Sequence, residues 1–455
     1  MHFKSLWLSL GIPLGSCLVF APGQDHQVSS NVRFDSQEAQ QTLDVAAFHG
    51  GSKAHTGTVY GIISNDPRFV FRWSKIQLIE GFVFRFSLIT KALNFVEDVA
   101  SFLNDSSSVV TFFAPSDRAL RRSDHEMLDE IRLSHSDIPD HERRKKILKT
   151  ILRSILNYHI IPATAYDVAG LGRNTTYPTG LKISGTYGGQ PLRLRVSQNA
   201  IPPSTHINIV SSIVRPNIEA TNGIIHEVDH PLLPPLSVFQ ELYMTPHFFS
   251  ILTSALQRSN LTKKLDIRYV RDRGLEGTPL VTIFAPTNRA FERPPQKLKM
   301  FLFSPWGEGV LAKLLQYHVV PEAVIHSSDH PEDARPNHPG HVEPIASHNL
   351  TLRTLLVNHT IHAYIVQNRI TFPFPGPKKP SIIDTRIFVN RHLVLVPDIV
   401  GFNGAIHVID KLLDPRKAHH CPGHHQWHRH GPGSDHHPQN WEDWESWLPQ
   451  WAEQG

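Results

Sequence analysis

Cysteine is almost absent: the 455 residues hold two, Cys17 and Cys421. Cys17 lies in an apolar leader, so the chain without that leader keeps one thiol and no internal disulfide, and its cores must carry stability unaided. Charge of one sign is missing too. Lys and Arg number 45 against 41 Asp and Glu, a formal net charge of +4 with no basic stripe, which excludes nucleic acid as a natural partner. Long apolar runs are absent after the leader, so no later segment reads as a bilayer span, and the polar C-terminus excludes a GPI-type lipid signal. The fingerprint G-x-S-x-G, the phosphate-binding loop and the dinucleotide-binding loop do not occur. No cofactor is called for.

What remains is ordinary globular material, 40% hydrophobic and 19% charged, long enough for two or three domains. Thirty-five prolines point to many loops and strand edges. The 30 histidines make the chain far more cationic as pH falls toward about 5. "MHFK" followed by "LWLSLGIPLGSCLVF" reads as a signal peptide over residues 1–23, with cleavage after Gly23 or retention as an anchor. A linker follows over 24–57. Five Asn-x-Ser/Thr sequons, at Asn104, Asn174, Asn260, Asn349 and Asn358, fit passage through the secretory route as a glycoprotein.

The chain is a tandem duplication. "VVTFFAPSDRAL" (Val109 to Leu120) matches "LVTIFAPTNRAF" (Leu280 to Phe291). "ILNYHIIP" (Ile155 to Pro162) matches "LLQYHVVP" (Leu314 to Pro321). "RPNIEATNGIIHEVDHPLLPP" (Arg215 to Pro235) matches "VPDIVGFNGAIHVIDKLLDP" (Val396 to Pro415). The blocks recur in one order, giving domains over 58–235 and 236–415. The Pro/His-rich insertion "HSSDHPEDARPNHPGH" in the second copy reads as surface loop. "VVTFFAP" reads as a core strand stopped by proline, with Ser116 and Thr287 as caps of the helices that follow. "ILKTILRSILNYH" has the spacing of an amphipathic helix ending at Tyr-His. Each Asn-Gly pair, Asn222-Gly223 and Asn403-Gly404, reads as a tight turn into a strand. The Asn side chains are expected to bond local backbone, and the glycines to adopt conformations costly for other residues.

These three blocks resemble the motifs of the fasciclin, or FAS1, domain: Thr-x-Phe-Ala-Pro, the central Tyr-His, and Asn-Gly-x-Ile-His. The resemblance covers roughly residues 58 to 415. It implies an α+β fold in which each module is a β-sandwich wedge with helices packed along one side. It also implies adhesive contact through the Tyr-His region (Tyr158, His159, Tyr317, His318) and through Pro397-Asp398-Ile399. The first copy has Asn217 where the second has Asp398. The plainer reading of Asp398 is a turn carboxylate that caps nearby backbone N–H groups. "TVYGIISNDPRF" looks like the family's opening helix and "SLITKALNFVEDVASFLN" like the next. The stretch 70–86 between them is surplus, either an extended helix or an error in the gene model.

Two further chemistries compete with adhesion. A hydrolase would pair Tyr158-His159 or Tyr317-His318 with His226 or His407, against the reading of these groups as hydrogen-bonded structure. The tail, 416–455, reads as disordered and gathers His419, His420, Cys421, His424, His425, His428 and His430, with His436 and His437 beyond. Their donors suit divalent transition metals, but the spacing matches no closed site, so weak, multi-site binding is expected. Trp441, Trp444 and Trp447 fall on one helix face that would dock on a partner or on the protein's own domains. The composite reading is a non-enzymatic secretory-route glycoprotein, vacuolar or extracellular in the manner of fungal members with this layout. Its partner would be a protein or glycan at a cell surface, wall or vacuolar membrane.

Overall fold

The computed structural model describes residues 57–64, 86–121, 141–200, 203–270, 273–328, 342–371, 381–417 and 441–453. The readings of the signal peptide, of the surplus stretch up to residue 85 and of the His-rich tract lie outside these residues. The chain forms two compact units, Met1–Val168 with Ile209–Pro231, and Ala169–Asn208 with Leu232–Gly455. The repeat and the units thus divide the chain differently over residues 169–208.

In the first unit the strand Val110–Pro115 is buried at every position. It pairs antiparallel with Ile160–Pro162 and parallel with Gly223–Val228, which in turn pairs antiparallel with Ser211–Ala220. Helices Val59–Ser64, Ser87–Phe95, Glu97–Asn104 and His141–Tyr158 contribute Ile63, Leu93, Val99, Leu103 and Leu156 to a core that includes Phe112 and Ile225 of the sheet. The stretch read as one helix over 87–104 breaks at Val96, whose φ and ψ are −112° and 72°. Val96 is itself buried, and the break lets Ile89 and Leu93 on one side and Val99 and Leu103 on the other join a single core.

The second unit repeats the plan. Val281–Pro286 pairs antiparallel with Val319–Pro321 and parallel with Gly404–Ile409, which pairs with Val396–Gly401. A second sheet, Val342–Arg353, Thr360–Thr371, Ser381–Val389 and His392–Leu393, closes a sandwich on Phe284, Val320, Ile361, Ile365, Ile387 and Ile409. Helices Pro246–Arg258, Gln296–Leu302 and Glu308–Tyr317 pack along the other side. This is the α+β sandwich wedge that the resemblance implied. The strands Thr176–Lys182, Pro191–Ala200 and Pro203–Ile207 also belong to this unit.

The local signals hold where backbone chemistry is the cause. Ser116 and Thr287 accept the N–H groups of Ala119 and Ala290 at 3.2 and 3.3 Å. Ser237 and Gln240 form a reciprocal capping box at the start of Val238–Tyr243. The described end of the tail follows the helix-face reading. Trp441–Asp443 and Trp444–Glu453 are helical, because Trp441, Trp444 and Leu448 bury themselves in the helical core of the second unit, a long-range gain that polar, Pro-rich flanks conceal. Among the described residues no helix is long and apolar enough to cross a membrane.

Candidate functional site

In each repeat the histidine of the Ile-His motif and the Thr of the central strand meet at one loop through hydrogen bonds to its main chain. In the first unit, His226 is fully buried. Its Nε2–H donates to the Tyr166 carbonyl at 2.9 Å and its Nδ1 accepts the Asn217 N–H at 3.3 Å. In the second, His407 Nε2–H donates to the Ile325 carbonyl at 3.0 Å and Nδ1 accepts the Asp398 N–H at 3.2 Å. Phe113 and Phe284 stack on these rings at 5.7 and 5.3 Å. Thr111 bonds the Thr164 carbonyl and the Tyr166 N–H, both at 2.8 Å. Thr282 bonds the Ala323 carbonyl at 2.9 Å and the Ile325 N–H at 3.0 Å. A loop with no regular partner is thereby fastened to the sheet, which satisfies buried main-chain groups.

The Tyr-His pairs end their helices pointing inward. His159 and His318 donate from Nδ1 to the carbonyls four residues earlier, Ile155 and Leu314, at 2.8 Å each. His318 Nε2 accepts the Leu413 N–H at 2.9 Å. Tyr317 Oη donates to the Thr360 carbonyl at 3.2 Å and accepts from Asn390 at 2.7 Å. Burial pushes His159, His226 and His318 down to about 4, lowers His407, and raises Tyr317, since a low-dielectric core disfavours the charged form. Neutral, buried imidazoles whose nitrogens are committed to backbone have no lone pair or proton to offer a substrate. The hydrolase pairing of Tyr-His with His226 or His407 therefore lacks an exposed group in this geometry.

The adhesion reading needs the same revision. Tyr158, His159, Tyr317, His318 and Asp398 are all buried, so direct contact with a partner is closed to them. Of the residues carried over from the resemblance, only Pro397 and Ile399 are partly exposed. Asp398 sits in the left-handed region at φ 60°, as Asn217 does at 56°. Both residue types tolerate that conformation.

Around Asp398 the second unit builds a polar cluster that the sequence did not announce. Its carboxylate accepts the Ser327 N–H at 3.0 Å, the Ser327 hydroxyl, and the Thr175 hydroxyl at 2.5 Å. His326 lies 3.6 Å away, and its Nε2 meets Tyr187 Oη at 2.5 Å. Burial opposes ionisation of Asp398, but His326, His407 and Ser327 outweigh it and hold the carboxyl below the usual range. Arg195 donates to the Pro397 carbonyl at 3.0 Å. His326 and Ser327 open the insertion that composition assigned to the surface, yet each is 1% exposed. The reading of Asp398 as a cap of local N–H groups is not met, since the one N–H its carboxylate takes is that of Ser327, 71 residues away. The other bonds also come from segments far off in the chain, which no spacing rule reaches.

The Asn-Gly turns also act at long range. Asn222 accepts the Val59 N–H at 2.7 Å and donates to the carbonyls of Leu103 and Asp105 at 3.0 and 2.8 Å. Asn403 does the same with Val238 at 2.9 Å, Leu265 at 3.1 Å and Thr278 at 2.7 Å. Their partners are thus remote rather than local. Gly223 and Gly404 are required for space, not for φ: a Cβ would collide with the carbonyls of Val110 and Val281.

Of the sequons, Asn104, Asn260, Asn349 and Asn358 are exposed and Asn174 is half-buried. The tail donors His419, His420, Cys421, His424, His425, His428 and His430 lie outside the described residues. Among the described residues no group of three or more His, Cys, Asp or Glu is placed to hold a metal ion.

The Fasciclin domain family model matches residues 84–234 and 247–415. The chain belongs to the fasciclin family. Stabilin-2 of Mus musculus is 29% identical over 196 residues, 40% of this chain and 7% of its own length. Aurofusarin biosynthesis cluster protein S of Gibberella zeae is 29% identical over 209 residues, 43% of this chain and 46% of its own length. A fasciclin-like arabinogalactan protein of Arthroderma benhamiae is 23% identical over 269 residues, 58% of this chain and 52% of its own. This fasciclin chain thus spans about half or less of these curated relatives.

Proposed function

We propose that this fasciclin protein is a non-enzymatic glycoprotein of the secretory or vacuolar system, fungal in origin, that acts in adhesion or in organising matrix, cell wall or a membrane surface. The observation that supports this most is the internal use of the repeated motif side chains: His226, His318 and His407 each bond main-chain groups through both ring nitrogens. Conserving chemistry for a substrate would leave one of those atoms open. Four exposed sequons and relatives whose names include a fasciclin-like arabinogalactan protein agree with a glycosylated surface role. The contact residues assigned to a protein or glycan partner are Pro397 and Ile399, with Asp398 holding them from behind.

The test is capture of a tagged full chain by wall and vacuolar-membrane fractions of its own cells. Saturable capture that drops about tenfold in a Pro397→Ala/Ile399→Ala variant with an unchanged melting curve is the expected result. Equal capture of both proteins removes the contact assignment, and capture by neither fraction removes the adhesion reading. Release of product from ester or glycoside libraries, abolished by His318→Ala, would install the hydrolase in its place.

A further inference from the structure

The second unit carries a helix-binding face that is occupied by the end of its own chain. Helices Pro246–Arg258, Gln296–Leu302 and Glu308–Tyr317 present an apolar surface on which the tail helix Trp444–Glu453 lies. Trp441, Trp444 and Leu448 are 2%, 8% and 0% exposed. Trp444 stacks on Phe301 at 5.2 Å. Trp451 donates toward His359 Nε2 at 3.4 Å, and His359 in turn meets the Tyr317 ring edge-on at 6.1 Å. The rim is charged and complementary: Lys297 faces Glu445 at 3.9 Å, Lys313 donates to the Ala452 carbonyl, and Arg416 reaches Asp443 at 3.0 Å and lies 3.8 Å above the Trp447 ring. Aromatic anchors at helical spacing, a basic rim and an acidic outer helix face are the components of helix-in-groove recognition.

Two features lower the gain of docking. Trp441 Nε1 is buried with no hydrogen-bond partner among the described residues, which subtracts from that gain, and Pro449 lies inside the helix, where it has no N–H to donate. Residues 418–440 join the helix to the unit, enough chain to span about 75 Å when extended. The Arg416–Asp443 contact shows that the two ends of that stretch lie side by side, so docking within one chain uses almost none of its reach.

We infer that the groove is an exchange site, and that the tail helix of a second copy of this chain is its alternative occupant, yielding a reciprocal dimer in which each helix seats on the other's second unit. An identical helix fits the groove by construction, and the joining stretch is long enough to deliver it. Docking within one chain is favoured by effective concentration at low protein levels, and exchange gains as copies are crowded on a surface.

The experiment uses the full chain. A fluorescent peptide spanning residues 439–455 is incubated with it in excess, and light scattering follows the mass of the protein alone over a range of concentrations. The expected result is saturable uptake of the peptide, about tenfold weaker for the Trp444→Ala/Leu448→Ala peptide, and a dimer that grows with concentration and disappears when excess wild-type peptide is added. No uptake overturns the proposal, because the helix is then a permanent part of the core. Uptake with a chain that stays monomeric at every concentration overturns the second copy as occupant. A dimer that the peptide leaves intact places the interface elsewhere and overturns it as well.

Discussion

The two repeats share a scaffold down to register. Val110 stands opposite Gly223, and Val281 opposite Gly404. Asn222 and Asn403 each take one N–H and give to two carbonyls in corresponding places. Around that scaffold they diverge. Asn217 accepts a single N–H, from Val168 at 2.9 Å, and is half-buried, while Asp398 is fully buried under hydroxyls and His326. The first repeat therefore shows what the fold needs, and the second shows what has been built onto it: a buried carboxylate cluster and a docked tail.

The largest difference to break is the tail. Deleting residues 441–455 removes Trp441, Trp444 and Leu448 from the second unit's core and should destabilise that unit by about 5 kcal/mol, leaving the first unit unchanged. Pulse proteolysis in urea, read by mass spectrometry, separates the units. Deleting only 419–438 should leave both midpoints where they were.

Acid sharpens the comparison next. A histidine whose folded pKa is depressed gives stability that is complete above its unfolded value of about 6.5 and lost as pH falls toward the folded value. His159 and His226, both near 4, should together cost the first unit about 3 kcal/mol between pH 6.5 and pH 5. In the second unit His318, also near 4, loses stability in the same direction. Glu241 acts oppositely: burial raises it to about 7, so its folded form holds a proton that the unfolded chain lacks, and stability grows as pH falls. The two largely cancel, and His407, also lowered by burial, is a further acid-sensitive group there. Urea midpoints at the two pH values should fall more for the first unit; an equal fall would refute the assignment. Richness in histidine thus reads differently by place: these buried rings resist charging in an acidic lumen.

How far the sequence carried depends on the range of the cause. Ordered recurrence of three motifs exposed the duplication, and hydroxyl caps such as Ser116 and Thr287 act within one helical turn, so both were legible. The Asn222 and Asn403 turns were legible as turns, but their bonds run to segments more than 100 residues away, and local rules assigned them to the wrong backbone. Tyr187, Thr175 and Ser327 gave no signal, because ordinary residues become a site only when folding brings them to Asp398. The Tyr-His pairs were conspicuous and pointed to contact with a partner, yet a helix end that faces the core turns them inward.

Exchanging the divergent residues tests whether the cluster is an addition. Asp398→Asn keeps an acceptor for the Ser327 N–H but removes the charge that His326 and two hydroxyls address. A loss of about 2 kcal/mol in the second unit is expected. Asn217→Asp retains its one N–H donor at a half-exposed position and should stay within about 0.5 kcal/mol. Equal effects in the two units would mean that both positions serve the common scaffold.

The smallest expected effect lies in the tract between the docked helix and the second unit, which has no counterpart in the first repeat. His419, His420, Cys421, His424, His425, His428 and His430 offer more donors than one divalent ion takes. Docking of Trp441–Glu453 brings the two flanks of this tract together, as Arg416 to Asp443 shows. Binding must still offset the entropy of fixing that chain, so Zn²⁺ should bind weakly and at several sites. Each imidazole must be unprotonated to coordinate, so affinity should decline from pH 7 to pH 5, whereas a carboxylate-only site would change little over this range. Calorimetry on the full chain and on a variant with these seven residues changed to Ser decides the matter. Loss of the Zn²⁺ signal with an unchanged melting curve is the expected outcome, and equal heat from both proteins would move the ion into the folded units.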